Sequence, residues 1–215
     1  MTFETFPALR ALPGIAHAFT HRIPGIDVRV DRDLAVRRLD ETHCAIRVQL
    51  GIGARRFLLG EQIHGATVAI VDATTAADIV PGADGLITDD PRICLGVHVA
   101  DCAPVFLIEP ARRVIALLHS GRRGTEAGIV PAAIARLIAD FHCDPACIIA
   151  QIGPCIRPPH YETDFAATIV QQCRAAGLQH IHDSGTCTAT HVAHYYSYRV
   201  ERGKTGRMLG LLALV

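Results

Sequence analysis

The chain has 215 residues; half are hydrophobic, 20% are charged, and its 21 Lys and Arg balance its 21 Asp and Glu. This composition excludes a disordered chain, and zero net charge gives no electrostatic sign of nucleic-acid binding. The sequence has no apolar run long enough to span a membrane and no apolar core of a signal peptide. It has eight Cys, but the chain is too long for a small disulfide-stabilised scaffold. We therefore expect one cytoplasmic domain over residues 1–215. A small-molecule or protein partner is favoured over nucleic acid or membrane, and we expect a monomer or homodimer.

The first half of the chain predicts short strands around one long helix. Asp31 is a good N-cap for a helix that runs to about Val48, and Gly51 and Gly53 end it. Apolar runs predict an edge strand over 15–20 and further strands over 57–59, 67–71 and 85–88. Turn-forming residues predict loops or turns over 21–25, 73–81 and 89–91.

The second half begins with the most apolar part of the chain. Residues 94–108 predict paired strands on either side of Cys102, and residues 114–119 predict a third strand. A helix follows from about Thr125 to Phe141; it either starts near Ile129, with Pro131 in its first turn, or is kinked. The remaining elements are a strand over 147–152, a helix from 163 or 164 to about 176, a mixed segment over 187–199 and a strand over 207–214. Because strands and helices do not alternate strictly, we expect an α/β fold of mixed sheets covered by helices.

Three residues in or beside the apolar segments have side chains that bind metals. Cys102 and His119 lie in or beside strands predicted to be buried on both faces, where such side chains need a particular explanation. Gly65 directly follows His64 and allows the backbone to pass close to the group that the imidazole faces. Two imidazoles and one thiolate match a catalytic zinc site with an open fourth position. Their wide spacing carries little specificity, and a buried Cys is often only a core residue.

A competing hypothesis makes Cys102 a nucleophile, with His119 as its base and Asp101 as the group that orients the base. Other His and Cys residues are weaker candidates. His142, Cys143 and Cys147 lie at a helix end without a fourth partner, and four further His are expected to face solvent, at 180, 182, 191 and 194.

The turn after His119 is the strongest candidate for binding an anion. Arg122 and Arg123 lie between Gly121 and Gly124, at the start of a predicted helix. Two guanidinium groups at a helix N-terminus suit a phosphate or a carboxylate. The alternative is a solvated basic turn. Residues 204–207 form a second, weaker basic turn.

Seven motifs occur in a fixed order: Gln-Ile-His-Gly at 62–65, Ala-Asp-Gly-Leu-Ile-Thr at 83–88, Ala-Asp-Cys-Ala-Pro-Val at 100–105, His-Ser-Gly-Arg-Arg-Gly at 119–124, Ile-Gly-Pro-Cys-Ile at 152–156 with Tyr-Glu at 161–162, Cys-Thr at 187–188, and Ser-Tyr-Arg at 197–199 with Thr-Gly-Arg at 205–207. Together they resemble the YfiH family, also called the laccase-domain or multicopper polyphenol oxidase family, which includes purine nucleoside phosphorylases related to laccase domain-containing 1. The resemblance runs from about residue 60 to the C-terminus.

The resemblance implies a four-layer α/β/β/α fold and a zinc ion held by His64, Cys102 and His119. It implies phosphorolysis of adenosine, inosine, guanosine and methylthioadenosine, together with deamination of adenosine. The basic residue of the family's motif falls on Arg123, which is expected to bind phosphate, with Arg22 as a second candidate for this role. The multicopper label fits poorly, because one Cys and two His are too few ligands for several copper ions.

Two alternatives remain beside phosphorolysis. Some relatives are described as amidases that edit a peptidoglycan precursor, and a non-catalytic metal-binding scaffold is also compatible with the motifs. The chain departs from the family's His-Ala-Gly-Trp-Arg-Gly motif at Ser120 and Arg122, so we expect an aromatic wall of the pocket to be missing and Arg122 to contact the nucleoside instead. Residues 1–33 are expected to be a divergent, shortened N-terminal part.

Overall fold

The computed structural model describes residues 2–215, which form two six-stranded sheets with helices against them. The strands are β1 (Phe3–Glu4), β2 (Ile15–Thr20), β3 (Arg56–Gly60), β4 (Val68–Ile70), β5 (Ile79–Val80), β6 (Gly85–Thr88), β7 (Ile93–Val99), β8 (Ala103–Glu109), β9 (Val114–Ser120), β10 (Ile149–Ile152), β11 (His180–Asp183) and β12 (Met208–Leu214). The helices are α1 (Pro7–Arg10), α2 (Arg32–Gln49), α3 (Arg122–Glu126), α4 (Ile129–Phe141) and α5 (Phe165–Ala175), with a short 3-10 helix over Pro145–Cys147. No helix within residues 2–215 has both the length and the apolar character needed to cross a bilayer.

The two sheets contain both parallel and antiparallel pairs. The first has the order β1-β2-β12-β7-β3-β5 and the second the order β11-β10-β8-β9-β6-β4. The expectation that the strands around Cys102 pair with each other is wrong. Strand β7 pairs with β3 and β12, whereas β8 pairs with β9 and β10. The chain therefore crosses from one sheet to the other between Val99 and Ala103, and Cys102 lies in that crossing.

Side-chain alternation places one core between the sheets and one on each outer face. The inner core takes alternate residues of both sheets, including Leu95, Val97, Phe106, Ile108, Ile115 and Leu117. Beyond the first sheet, Cys94 and Leu211 pack with Ile46 of α2. Beyond the second, Val105 and Leu118 pack with residues of α4 and α5. The order helix, sheet, sheet, helix is the four-layer arrangement that the resemblance implied. The central strands β7, β8, β9 and β12 are buried along their whole length, as their apolar runs predicted.

Local signals placed several element ends correctly. Asp31 caps α2 by accepting a hydrogen bond of 3.0 Å from the backbone nitrogen of Leu34. Asp164 caps α5 through the backbone nitrogen of Ala167, also at 3.0 Å. Helix α4 begins at Ile129, so Pro131 lies in its first turn, where its missing N–H removes no helical bond.

Other elements differ from the predictions because tertiary pairing decides them. The strand over 15–20 is not an edge strand, since β1 and β12 flank β2. Residues 79–80 form β5 inside the predicted loop by pairing with β3. The exposed segment His180–Asp183 has no apolar alternation, yet it forms β11 by parallel pairing with β10. The predicted turn over 121–124 leads directly into the short helix α3.

Candidate metal centre

His64, Cys102 and His119 come together from three different segments. His64 lies in the loop between β3 and β4, Cys102 in the crossing between the sheets, and His119 near the end of β9. Ala103 pairs with Ser120 across the β8–β9 ladder, and this register brings Cys102 beside His119. The backbone of His64 has a φ of 65°, a left-handed conformation that few non-glycine residues adopt.

The donor atoms of this group lie close enough together to share one ion. The three ligand atoms are all within 4.8 Å of one another, and no other such group of three occurs within residues 2–215. The rings of His64 and His119 have centroids 4.7 Å apart at an interplanar angle of 76°. His119 is buried, Cys102 is partly buried and His64 is exposed, so one side of the group is open.

Gly121 makes room for the thiol. A Cβ atom at this position would lie 2.5 Å from the Sγ atom of Cys102, which is closer than any normal contact. The next turn is held by Thr125, whose hydroxyl donates to the carbonyl of Gly121 and also bonds the hydroxyl of Ser120, both at 2.8 Å. The hydroxyl of Ser120, which replaces the family's alanine, therefore stabilises the turn after His119.

Asp84, the residue before β6, holds both histidines. Its Oδ1 atom lies 2.8 Å from Nδ1 of His119 and accepts a 2.9 Å hydrogen bond from the backbone nitrogen of His64. Its Oδ2 atom accepts a 2.7 Å bond from the backbone nitrogen of Gly65. Because Nδ1 of His119 is engaged, Nε2 is the nitrogen left for a ligand role. A carboxylate behind a histidine is the usual outer support of a metal ligand.

The electrostatics of the group favour an ionised thiol. Burial alone would raise the pKa of Cys102, but His119 and His64 together lower it to about 6. Burial alone would lower the pKa of His119, but Cys102 and Asp84 raise it to about 9. Both shifts favour the ionised thiol of Cys102, and the thiolate is the form of Cys that binds metals and attacks electrophiles.

Asp101 does not orient His119, so this part of the nucleophile hypothesis is wrong. Its buried carboxylate accepts hydrogen bonds from the hydroxyls of Thr188 at 2.7 Å and Ser197 at 3.0 Å, and from the backbone nitrogen of Arg199 at 2.7 Å. Asp101 thus ties the C-terminal segment to the crossing that carries Cys102. Asp84 has the orienting position beside His119.

A cavity of about 790 Å³ opens over His64, Cys102 and His119, which we call the metal-ligand group. Its basic lining residues are Arg32, Arg122, Arg123, Arg199, Arg202 and Arg207. Arg123 is exposed, and its guanidinium makes no hydrogen bond or ion pair to any of residues 2–215. Arg22 is not among the lining residues: its guanidinium donates to Glu201 at 2.7 Å and to the carbonyl of Tyr195 at 3.1 Å. We therefore leave Arg22 out of the proposed phosphate site.

The rim of the cavity combines charge with aromatic rings. Glu162 bridges Arg122 at 3.2 Å and Arg199 at 2.9 Å. The guanidinium of Arg199 lies 5.3 Å from the ring centroid of Tyr161. Aromatic rings also line the cavity at Phe165 and Tyr198. The expected lack of an aromatic wall is therefore offset by rings from other parts of the chain.

Sequence reasoning missed several of these residues. Asp84 belongs to one of the seven sequence motifs, but no function was assigned to it. An acidic residue directly before a buried strand could have identified it as a candidate site residue. His98, Arg32 and Arg207 line the cavity, but their proximity arises from sheet pairing and from the start of α2. The four histidines at 180, 182, 191 and 194 are exposed, as expected.

Comparison with known proteins gives consistent results. The sequence profile described as "multi-copper polyphenol oxidoreductase laccase" matches residues 27–165 and 159–215. A protein of Streptomyces coelicolor named purine nucleoside phosphorylase is 34% identical, over 77% of this chain and 78% of that protein. A Deinococcus radiodurans protein of the same name is 30% identical over 100% of this chain and 95% of its own length. The crystal structure of YlmD from Geobacillus stearothermophilus superposes with a TM-score of 0.82 at 26% identity, covering 99% of this chain and 98% of that one.

Proposed function

The chain belongs to the multi-copper polyphenol oxidoreductase laccase family, and we propose that it cleaves purine nucleosides by phosphorolysis with the help of one zinc ion. The observation that carries this proposal is the His64, Cys102 and His119 group, which opens into a cavity lined by arginines and aromatic rings. The names of the relatives support the reaction class. The proposed substrates are adenosine, inosine, guanosine and methylthioadenosine, with deamination of adenosine as a second activity.

The donor set fits zinc better than a copper cluster. Two imidazole nitrogens and one thiolate, with one open side, match a catalytic zinc site. A multicopper centre needs many more imidazoles than this group offers. Zinc bound there supplies a Lewis acid that stabilises negative charge developing on the substrate.

The other residues of the cavity have roles that follow from their chemistry. In phosphorolysis an oxygen of hydrogen phosphate bonds to C1′ of the ribose while the bond between C1′ and the purine nitrogen breaks. The bond electrons leave with the purine, which takes up the proton that hydrogen phosphate loses. Arg123 is free to bind the phosphate, and the rings of Tyr161 and Tyr198 offer surfaces on which a purine stacks.

A screen of nucleosides tests the proposal directly. Zinc-loaded protein is incubated with each of the four nucleosides, with and without phosphate, and the products are separated by chromatography. We expect free base and the sugar 1-phosphate only when phosphate is present: ribose 1-phosphate from adenosine, inosine and guanosine, and 5-methylthioribose 1-phosphate from methylthioadenosine. Inosine should form from adenosine in either case. No change in any nucleoside would overturn the proposal and favour the metal-binding scaffold.

Replacing Arg123 by alanine should weaken the use of phosphate far more than it affects deamination, because only phosphorolysis binds a free anion. Loss of one charged hydrogen-bonding partner costs roughly 1.5–3 kcal/mol, so the KM for phosphate should rise about 10- to 100-fold. Steady-state kinetics at varied phosphate measures this change. Arg37→Ala is the control, since Arg37 is an exposed residue of α2 outside the cavity. Equal loss of both activities in Arg123→Ala would contradict the phosphate role.

The thiolate character of Cys102 supports one other candidate, a cysteine hydrolase that edits a peptidoglycan precursor. Such an enzyme needs one imidazole beside the thiol, whereas this site has two. The hydrolase is therefore the second choice, and its test is joined to that of the metal ligands in the Discussion.

A further inference from the structure

Three of the basic side chains that line the cavity lie at one end of the first sheet and at the start of α2, away from the metal-ligand group and the turn of Arg123. His98 is on β7, Arg207 directly precedes β12 and Arg32 begins α2. In the antiparallel pairing of β7 with β12, Leu209 lies opposite His98 and Met208 lies opposite Val99. Arg207, the residue before Met208, is therefore at the same end of the sheet as His98. We call these three residues the β7 cluster.

The imidazole of His98 is buried and has no hydrogen-bond partner. Its exposed fraction is 7%, and neither ring nitrogen makes a hydrogen bond within residues 2–215. The backbone of His98, in contrast, is fixed by the side chain of Gln62, which donates to its carbonyl at 2.7 Å and accepts from its nitrogen at 3.0 Å. Leaving a buried polar group unpaired costs stability. A fixed, unpaired imidazole at a cavity wall is therefore suited to a ligand group.

The guanidinium groups of Arg32 and Arg207 make few direct hydrogen bonds or ion pairs. One nitrogen of Arg207, Nη1, donates to the carbonyls of Thr205 and Gly206, both at 2.9 Å, which fixes the guanidinium and leaves its other N–H groups free. Burial and then the positive charge of Arg32 lower the pKa of Arg207, whereas Cys102, Tyr198 and Asp101 act in the opposite direction. The acid paired with Arg32 is the exposed Asp33, at 3.7 Å.

No carboxylate of the cavity lining is available to this cluster. Asp101 is the acidic residue among the lining side chains, and its oxygens are taken by Thr188, Ser197 and the backbone of Arg199. A neutral nucleoside would leave the two guanidinium groups without a counter-charge and the imidazole of His98, whose pKa burial lowers well below its usual value, without a hydrogen-bond partner. A phosphomonoester offers one dianion with several acceptor oxygens, which suits all three donors.

We propose that the β7 cluster is a second anion subsite, which binds a phosphomonoester carried by the nucleoside itself, so that purine nucleoside monophosphates bind better than neutral nucleosides. This inference rests on the proposed function for the nucleoside, while inorganic phosphate is assigned to Arg123. With a 5′-monophosphate the bonds made and broken at C1′ are unchanged, and the sugar product is ribose 1,5-bisphosphate.

Isothermal titration calorimetry on zinc-loaded protein tests the subsite without turnover. The probes are adenosine, adenosine 5′-monophosphate, adenosine 3′-monophosphate and inorganic phosphate. We expect one of the monophosphates to bind at least tenfold more tightly than adenosine. Arg32→Ala should bring that ratio to below threefold, and so should His98→Val, whereas the control Arg37→Ala should preserve it. Arg32 is the main variant because its exposed side chain leaves folding intact.

Two results would overturn the inference. One is a wild-type protein that binds adenosine as tightly as both monophosphates. The other is an Arg32→Ala variant that loses affinity for inorganic phosphate while the monophosphate ratio stays as in wild type, which would make the cluster the site of inorganic phosphate. Neither result depends on phosphorolysis. Failure of the proposed function would instead appear as absence of turnover in the nucleoside screen, so the two failures are distinguishable.

Discussion

Alanine in place of His64, Cys102 or His119 is expected to remove the bound metal and, with it, the turnover of purine nucleosides. Each residue supplies one of the three donor atoms that lie within 4.8 Å of one another. Loss of an outer partner of a metal ligand costs roughly 10- to 100-fold in metal affinity, and loss of the ligand itself should cost more. Metal content by mass spectrometry and nucleoside turnover measure the two effects.

The matched control for the thiol is Cys44→Ala, because Cys44 is an exposed residue of α2 that does not line the cavity. This variant should keep its metal and its turnover. A chelator should abolish wild-type activity, and added zinc should restore it. Turnover that resists the chelator, is lost when iodoacetamide modifies Cys102, and survives His64→Ala would instead establish the cysteine hydrolase.

Asp84→Asn is expected to lower the affinity for zinc by roughly 10- to 100-fold without unfolding the protein. The carboxylate accepts from Nδ1 of His119 and from the backbone nitrogens of His64 and Gly65. An amide has one acceptor oxygen, so its NH₂ group must oppose at least one of these donors. Both imidazoles then lose part of their orientation.

Competition with a chromophoric chelator measures this affinity, and circular dichroism confirms the fold. Asp140→Asn is a suitable control, since Asp140 pairs with Arg136 on the surface of α4. The control should bind zinc as the wild type does. An unchanged zinc affinity in Asp84→Asn would show that the loop of His64 is held by other contacts, and Asp84 would lose its assigned role.

Residue patterns predicted the elements that depend on local chemistry. The caps at Asp31 and Asp164 and the helix start around Pro131 follow from hydrogen bonds within a few residues. The sequence also predicted that His64, Cys102 and His119 form one group, because polar, metal-binding side chains are unusual in or beside a buried strand.

Predictions failed where distant parts of the chain decide the structure. The two apolar runs on either side of Cys102 predicted a pair of adjacent strands. In the structure the chain crosses between the sheets at Cys102, so β7 and β8 belong to different sheets. The support of His119 by Asp84 depends on β6 pairing with β9, and the juxtaposition of His98 with Arg207 depends on β7 pairing with β12. None of these contacts leaves a periodic signal in the sequence.

The link between Asp101 and Ser197 sets the order in which the site can be built during synthesis. These residues are 96 positions apart, and Asp101 holds a left-handed φ of 84° beside Cys102. When His119 leaves the ribosome, all three proposed metal ligands have been synthesised, but the C-terminal segment that anchors the crossing has not. Long-range contacts of this kind form late. Tight zinc binding by a growing chain should therefore begin only after residue 199 has emerged and docked.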